Sequence, residues 1–341
     1  MSVRAGALTA ALPLLLGACS YQHYQSTFSD AAAEVRQFNI LFVIFLVICA
    51  IMYLAVIAFM IAGLVRRRRA GEANVMEDKR HHESDPLMRS GLIAWSALIG
   101  TGLVGLALAS FFTDRTMAKA ATKEKLAITI TANQWWWDVQ YNSADASKTL
   151  RTANELHLPV GVPVRINLRS NDVIHSFWVP SLAGKQDLIP GRESDVTIVP
   201  TKTGVYRGQC AEFCGAQHAK MALVVNVDSY RDFISWWQHQ LQPARPPASA
   251  LARQGLTYVT AGPCSACHSI AGTPANGRVG PDLTHLASRR SIAAGTMPMN
   301  KGNLYGWVGD PQSLKPGNHM PTVGLEPDQL HAVVAYLETL K

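Results

Sequence analysis

The chain has 341 residues, of which 48% are hydrophobic and only 16% charged, an apolar balance that points to membrane segments. Its net charge of +7 is spread evenly, with excesses of +2, +2 and +3 over residues 1–113, 114–241 and 242–341. No segment is therefore a basic arm or patch of the kind that holds a phosphate backbone, and a nucleic-acid partner is excluded.

Arg4 precedes a short apolar run that ends in Leu16-Gly17-Ala18-Cys19. A positive start, a short apolar region and small residues read as a secretory signal over residues 1–19. The last four of these residues resemble a bacterial lipobox, which makes Cys19 the lipidated first residue of the mature chain. Residues 20–37 follow as an external segment. Residues 38–65 and 90–113 then contain no charged side chain over 28 and 24 positions. Each run is long enough to be a transmembrane helix. The loop between them, residues 66–89, carries Arg66, Arg67, Arg68 and Arg69, then Lys79, Arg80 and Arg89. By the positive-inside rule it is cytoplasmic. The expected localisation is the bacterial cell (inner) membrane, crossed more than once (multi-pass), with the C-terminal domains on the periplasmic or extracellular side.

Beyond residue 113 the hydrophobic period changes to two. Leu126, Ile128 and Ile130 alternate with Ala127, Thr129 and Thr131, and Val164, Ile166 and Leu168 alternate with Arg165, Asn167 and Arg169. The aromatic stretch 133–141 reads as a strand or strand edge. Residues 196–199 and 223–227 add further strands between Pro and Gly signals. The sum is an all-β Greek-key sandwich over residues 114–241. It contains the densest chemistry in the chain. Cys210, Glu212, Cys214, His218 and Met221 fall within twelve residues. Thiolate, imidazole and thioether together suit copper. Structural zinc is a rival but draws on Cys and His without Met. A Cys210–Cys214 disulfide is a second rival in an oxidising compartment. An upstream His175, in the same β domain, joins the set. An upstream His and a closing Cys…His…Met loop is the ligand pattern of a cupredoxin copper site.

The spacing Cys-x-Glu-x-Cys-x-x-x-His-x-x-Met at 210–221 and His175-Ser176-Phe177 resemble subunit II of haem-copper cytochrome c oxidases. So do the two-span hairpin, Gln134-Trp135-Trp136-Trp137, and Asp187-Leu188-Ile189-Pro190-Gly191-Arg192, over residues 35–240. The resemblance implies a cupredoxin-like CuA domain holding binuclear copper. Cys210 and Cys214 would bridge the two coppers, and His175 and His218 would bind one each. Met221 and the Glu212 carbonyl would be weak outer ligands. The Glu212 side chain would face magnesium shared with subunit I. Trp135 would lie where electrons enter. One departure stands in the second span. Trp95 in Gly91-Leu92-Ile93-Ala94-Trp95 matches the family, but the acidic residue usual there is missing.

Asp228 reads as the N-cap of a helix reaching Leu241. Residues 242–249 are a Pro-rich linker. Residues 250–341 contain Cys264-Ser265-Ala266-Cys267-His268, the attachment signal for c-type haem, with His268 as one axial ligand. A thioredoxin-like pair would need a β-α-β context, and a zinc site would need a second pair. The segment Lys315-Pro316-Gly317-Asn318-His319-Met320-Pro321 resembles the Met-ligand segment of class I cytochromes c, which makes Met320 the sixth ligand. Met297, Met299 and His319 are its rivals. The fold expected here is an all-α class I cytochrome c domain. Pro327 opens a last helix that carries Leu330, Val333, Val334 and Leu337 on one face.

The whole chain thus resembles subunit II of a caa-type cytochrome c oxidase. That resemblance implies electrons passing from a cytochrome c donor through haem c and CuA to subunit I, which reduces oxygen beside the other oxidase subunits. A CuA-bearing partner of a nitric oxide reductase and a copper-binding membrane lipoprotein are the alternatives.

Overall fold

The computed structural model describes residues 25–70, 86–121 and 126–341. The signal reading, the lipidation site at Cys19 and most of the inter-span loop lie outside the described residues. Residues 37–119 make one compact unit, and the other described residues make a second.

The first unit carries two helices, α1 (Ala33–Ala70) and α2 (Pro86–Ala121). Each runs past the uncharged run that predicted it. Each contains an apolar stretch long enough to cross a membrane, within Ala33–Arg66 and Arg89–Arg115. Phe59, Leu92 and Leu103 show how exposed these stretches are.

The second unit begins with residues 25–36 laid against a β-sandwich. Ala33 N donates to the Val199 carbonyl, and Lys202 pairs with Asp30. One sheet contains β1 (Leu126–Asn133), β2 (Trp136–Asn142), β3 (Leu150–Ala153), β5 (Val164–Ser170) and β8 (Ser194–Ile198), in the order β3-β2-β1-β5-β8. The other contains β4 (Glu155–Pro159), β6 (His175–Trp178), β7 (Gln186–Leu188), β9 (Gly204–Cys210) and β10 (Ala222–Asp228), in the order β4-β10-β9-β6-β7. Ile128, Ile130, Ile166 and Leu168 are fully buried, as their alternation requires, and pair across the parallel β1–β5 ladder. The fold is the cupredoxin-like sandwich expected from the sequence.

Two local expectations differ. The aromatic stretch is not one strand, because Gln134 and Trp135 form the turn between β1 and β2. The turn wins over β-propensity because it frees both side chains to reach Cys214, as described below. The helix α3 (Tyr230–Gln240) is capped by Ser229, whose hydroxyl accepts from Asp232 N, and not by Asp228. Asp228 ends β10, and its carboxylate meets His157 Nδ1 at 2.6 Å.

The C-terminal region is helical: α4 (Ala250–Ala261), α5 (Cys264–Cys267), α6 (Lys301–Gly309), α7 (Pro311–Leu314) and α8 (Pro327–Leu337). A two-strand ribbon, β11 (Ser291–Ile292) and β12 (Met297–Pro298), interrupts them. Val259, Leu304, Val333, Val334 and Leu337 form its core. Pro327 stands at the start of α8, and Glu326 with Gln329 forms a capping box there.

Candidate metal centre and haem-attachment segment

The second sheet brings distant residues to one end of the sandwich. His175 opens β6 and Cys210 closes β9, two antiparallel neighbours in which Phe177 pairs with Cys210. The chain beyond Cys210 turns back through residues 211–221 into β10. Cys210 N donates to the Met221 carbonyl and Ala211 N to the Ser176 carbonyl, both at 2.9 Å. These bonds seat the loop that carries the soft donors.

The side chains converge. His175 Nδ1 lies 3.8 Å from Cys210 Sγ, and His218 Nδ1 lies 3.6 Å from Cys214 Sγ. The two sulfurs are 3.7 Å apart and are not joined as a disulfide. Met221 Sδ is 3.9 Å from Cys214 Sγ, and the Glu212 carbonyl oxygen is 3.2 Å from Cys210 Sγ. Metal bonds of thiolate and imidazole length, met at a tetrahedral angle, separate sulfur from nitrogen by about 3.5 Å and sulfur from sulfur by about 3.8 Å. The gaps therefore fit a shared metal centre. His175, Cys210, Cys214 and Met221 are all buried. The six donors supply two thiolates, two imidazoles, a thioether and a carbonyl, a set that fits copper.

Electrostatics divides the two thiols. Cys210 is lowered well below the usual thiol range because the Cys214 thiol donates to it, with His175 and the main chain at Ser176 and Glu212 adding to the effect against burial. Cys214 is raised in turn by that neighbouring thiolate and by burial. A cation held by both sulfurs would remove this competition, because a coordinated thiol is deprotonated outright.

Three further residues support the centre, and the first two had no role in the sequence reading. His175 Nε2 is 2.7 Å from Asp172 Oδ1. A proton shared there leaves Nδ1 as the lone-pair donor facing the sulfurs. The sequence signal is only a carboxylate three residues before the ligand. Gln134 Nε2 and Trp135 Nε1 both donate to the Cys214 carbonyl, at 2.7 and 2.9 Å. Trp135 is 7% exposed, and its ring faces His319 at 6.4 Å. Glu212 is half-buried beside Phe213, which is 76% exposed.

In the helical domain Cys264 and Cys267 are free thiols on α5, with His268 just beyond. His268 Nδ1 donates to the Pro281 carbonyl at 2.7 Å, which leaves Nε2 free to bind a metal. Gly280 permits this approach, since a Cβ there would lie 2.8 Å from the His268 ring. The thiol pair and the oriented imidazole fit covalent haem. Met320 sits on the 315–321 loop, where its N–H donates to Asn318 Oδ1 and its carbonyl accepts from Gln312 Nε2. Met297 lies on β12, and Met299 packs on the domain core.

A sandwich that gathers soft donors at one end, followed by a helical Cys-x-x-Cys-His domain, defines an electron-transfer protein of joined cupredoxin-like and cytochrome c domains. Residues 142–228 match the family described as cytochrome c oxidase subunit II, periplasmic domain, and residues 252–341 match the cytochrome c family. Cytochrome c oxidase subunit 2 of Alkalihalophilus pseudofirmus is 30% identical over 303 residues, covering 87% of this chain and 85% of the relative. Its counterpart in a Bacillus species is 32% identical over 81% of this chain and 80% of the relative. The periplasmic domain of cytochrome oxidase subunit II of Bradyrhizobium japonicum, a solved structure, is 31% identical over 35% of this chain and 94% of that one, with a TM-score of 0.33. The chain belongs to the cytochrome c oxidase subunit 2 family.

Proposed function

We propose that this chain carries electrons from a cytochrome c donor, through a covalent haem c and a binuclear CuA centre, to a separate catalytic subunit that reduces oxygen to water. The observation that carries the reading is the convergence of His175, Cys210, the Glu212 carbonyl, Cys214, His218 and Met221 in a chain that also bears Cys264, Cys267 and His268.

In this reading Cys210 and Cys214 would supply the thiolates that two coppers share, and His175 and His218 one imidazole to each. Met221 and the Glu212 carbonyl would be weak outer donors. Copper supplies a one-electron couple, and the chain's residues hold the donors still as it turns over. The core behind them favours small ligand movement, because Trp137 is fully buried and packs edge-to-face with both His175 and Phe177. Haem is held by Cys264, Cys267 and His268, with Met320 as the sixth ligand. A Met ligand raises the haem potential and suits donation onward to copper.

The apolar rim beside the ligands supports a docking partner. Phe213, Val173 and Ile174 are exposed next to His218 and His175. This rim is where the catalytic subunit I would sit, with the Glu212 carboxylate toward a shared magnesium. The two apolar helices anchor the chain as a membrane hairpin, with the redox domains on the periplasmic or extracellular side. Residues 1–19 act as the export signal, with lipidation at Cys19.

Metal and haem quantitation with EPR on the purified chain tests the proposal. The expected result is two coppers and one haem per chain, with an electron shared over both coppers. A single localised copper signal, or none, refutes the CuA assignment. Cys210→Ser should remove the shared signal while leaving the haem spectrum intact.

A further inference from the structure

Lys315 belongs to the haem-bearing domain, yet only 2% of it is exposed. Among the described residues no carboxylate pairs with it. Its Nζ donates to the Trp135 carbonyl at 2.7 Å, the Lys220 carbonyl at 2.8 Å and the Ala293 carbonyl at 3.2 Å. Two of these acceptors belong to the β-sandwich and one to the lysine's own domain. Three converging carbonyls match the three hydrogens of an ammonium. Burial pulls the Lys315 pKa down to about 7, with Cys214 opposing the fall and Lys220 adding to it. A buried ammonium without such acceptors would be strongly unfavourable.

Around this centre the haem-bearing domain makes smaller contacts with the sandwich, some beside Lys315 and one from Ala294 in the turn between β11 and β12, next to the Ala293 carbonyl that Lys315 also meets. Gln217 Nε2 donates to the Pro316 carbonyl at 2.7 Å, and Lys220 Nζ donates to the Leu314 carbonyl at 2.6 Å. Ala222 N, at the start of β10, donates to the Ala294 carbonyl at 2.9 Å. His319 closes over the Trp135 ring.

We propose that Lys315 is the positioning residue that fastens the 315–321 loop of the haem-bearing domain over Trp135. Trp135 then becomes an internal contact between the two domains on the electron route from haem to copper. This consequence rests on the electron route proposed above, whereas the fastening itself needs neither metal.

Amide hydrogen exchange on the full chain in detergent, for the parent and Lys315→Gln, reads the fastening directly. The Ala222 amide should exchange at least about ten-fold faster in the variant, while amides within β1, β2, α4 and α8 keep their rates. A simple loss of stability would instead speed exchange throughout one domain's core. An unchanged Ala222 rate, or a rise spread over a whole domain, overturns the proposal. Should Lys315→Gln fail to fold, amine labelling of the parent chain decides the matter. Lys315 should label at least about ten-fold more slowly than the exposed Lys301, and equal rates overturn the proposal. With haem and copper loaded, Lys315→Gln should slow haem-to-copper transfer and leave reduction of the haem by an external cytochrome unchanged. An absent CuA signal in the parent refutes the electron route and leaves the exchange and labelling results standing.

Discussion

Asp172 shows how much one carboxylate can set. It accepts Gln134 N through Oδ2 at 2.6 Å and meets His175 Nε2 through Oδ1 at 2.7 Å. It thereby couples the β1–β2 turn to the imidazole that faces Cys210. Asp172→Asn keeps the shape but removes the charge that favours the required tautomer. Copper affinity should fall by about 10–100-fold, as read by competition with a chelator, with the sandwich intact by circular dichroism. His157 behaves differently, because it lies away from the metal donors. It sits between Asp228 at 2.6 Å and Glu155 at 2.8 Å and stacks on Trp236. Burial alone would lower its pKa, but the hydrogen bonds to Asp228 and Glu155 outweigh this and raise it above 6.5. The folded chain therefore binds that proton more tightly than the unfolded chain does. The stabilisation is complete below about pH 6.5 and is lost as pH rises through the raised value. Thermal midpoints of the full chain should fall across that window, and His157→Gln should flatten the slope.

Among the elements, the crossing of α4 and α8 is held close by one glycine. A Cβ on Gly255 would run into the Ala332 carbonyl group and approach Tyr336 Cβ to 2.8 Å. Gly255→Ala forces these helices apart and should destabilise the haem-bearing domain by about 1–3 kcal/mol, read as an earlier denaturant midpoint of the haem absorbance. The α8 face was legible from Leu330, Val333, Val334 and Leu337, since a helix buries every third or fourth residue. Its close partner on α4 was not, because the nearness of Gly255 to Ala332 depends on a packing angle and not on local pattern. The strands divide in the same way. β1 and β5 announced themselves by alternation, whereas β6, with only four residues, all of them at least partly buried, carried no period to read. The turn at Gln134 and Trp135 was hidden because its aromatic sequence has strand propensity. Its long-range hydrogen bonds to Cys214 and Asp172 override that preference.

At the scale of the whole molecule, apolar side chains pack the sandwich core. Ile128, Ile130, Trp137, Leu156, Leu168 and Leu188 are fully buried in one cluster. Copper removal under reducing conditions should therefore leave the β-sheet circular dichroism unchanged while abolishing the copper EPR signal. A metal-dependent fold would lose both together. By itself the sequence determined the class of chemistry. The spacing from Cys210 to Met221, the Cys264-Ser265-Ala266-Cys267-His268 segment and the two uncharged runs are properties of neighbours along the chain. Soft-ligand chemistry and hydropathy act on such neighbours directly. A family resemblance joined His175 to the set, but only the tertiary structure supplies its contact with Cys210, because a β6–β9 pairing has to close 35 residues of chain. It also decided that Asp172 orients that histidine and that Lys315 joins two domains at Trp135. Those relations depend on which strands pair and which loops meet, and packing sets both.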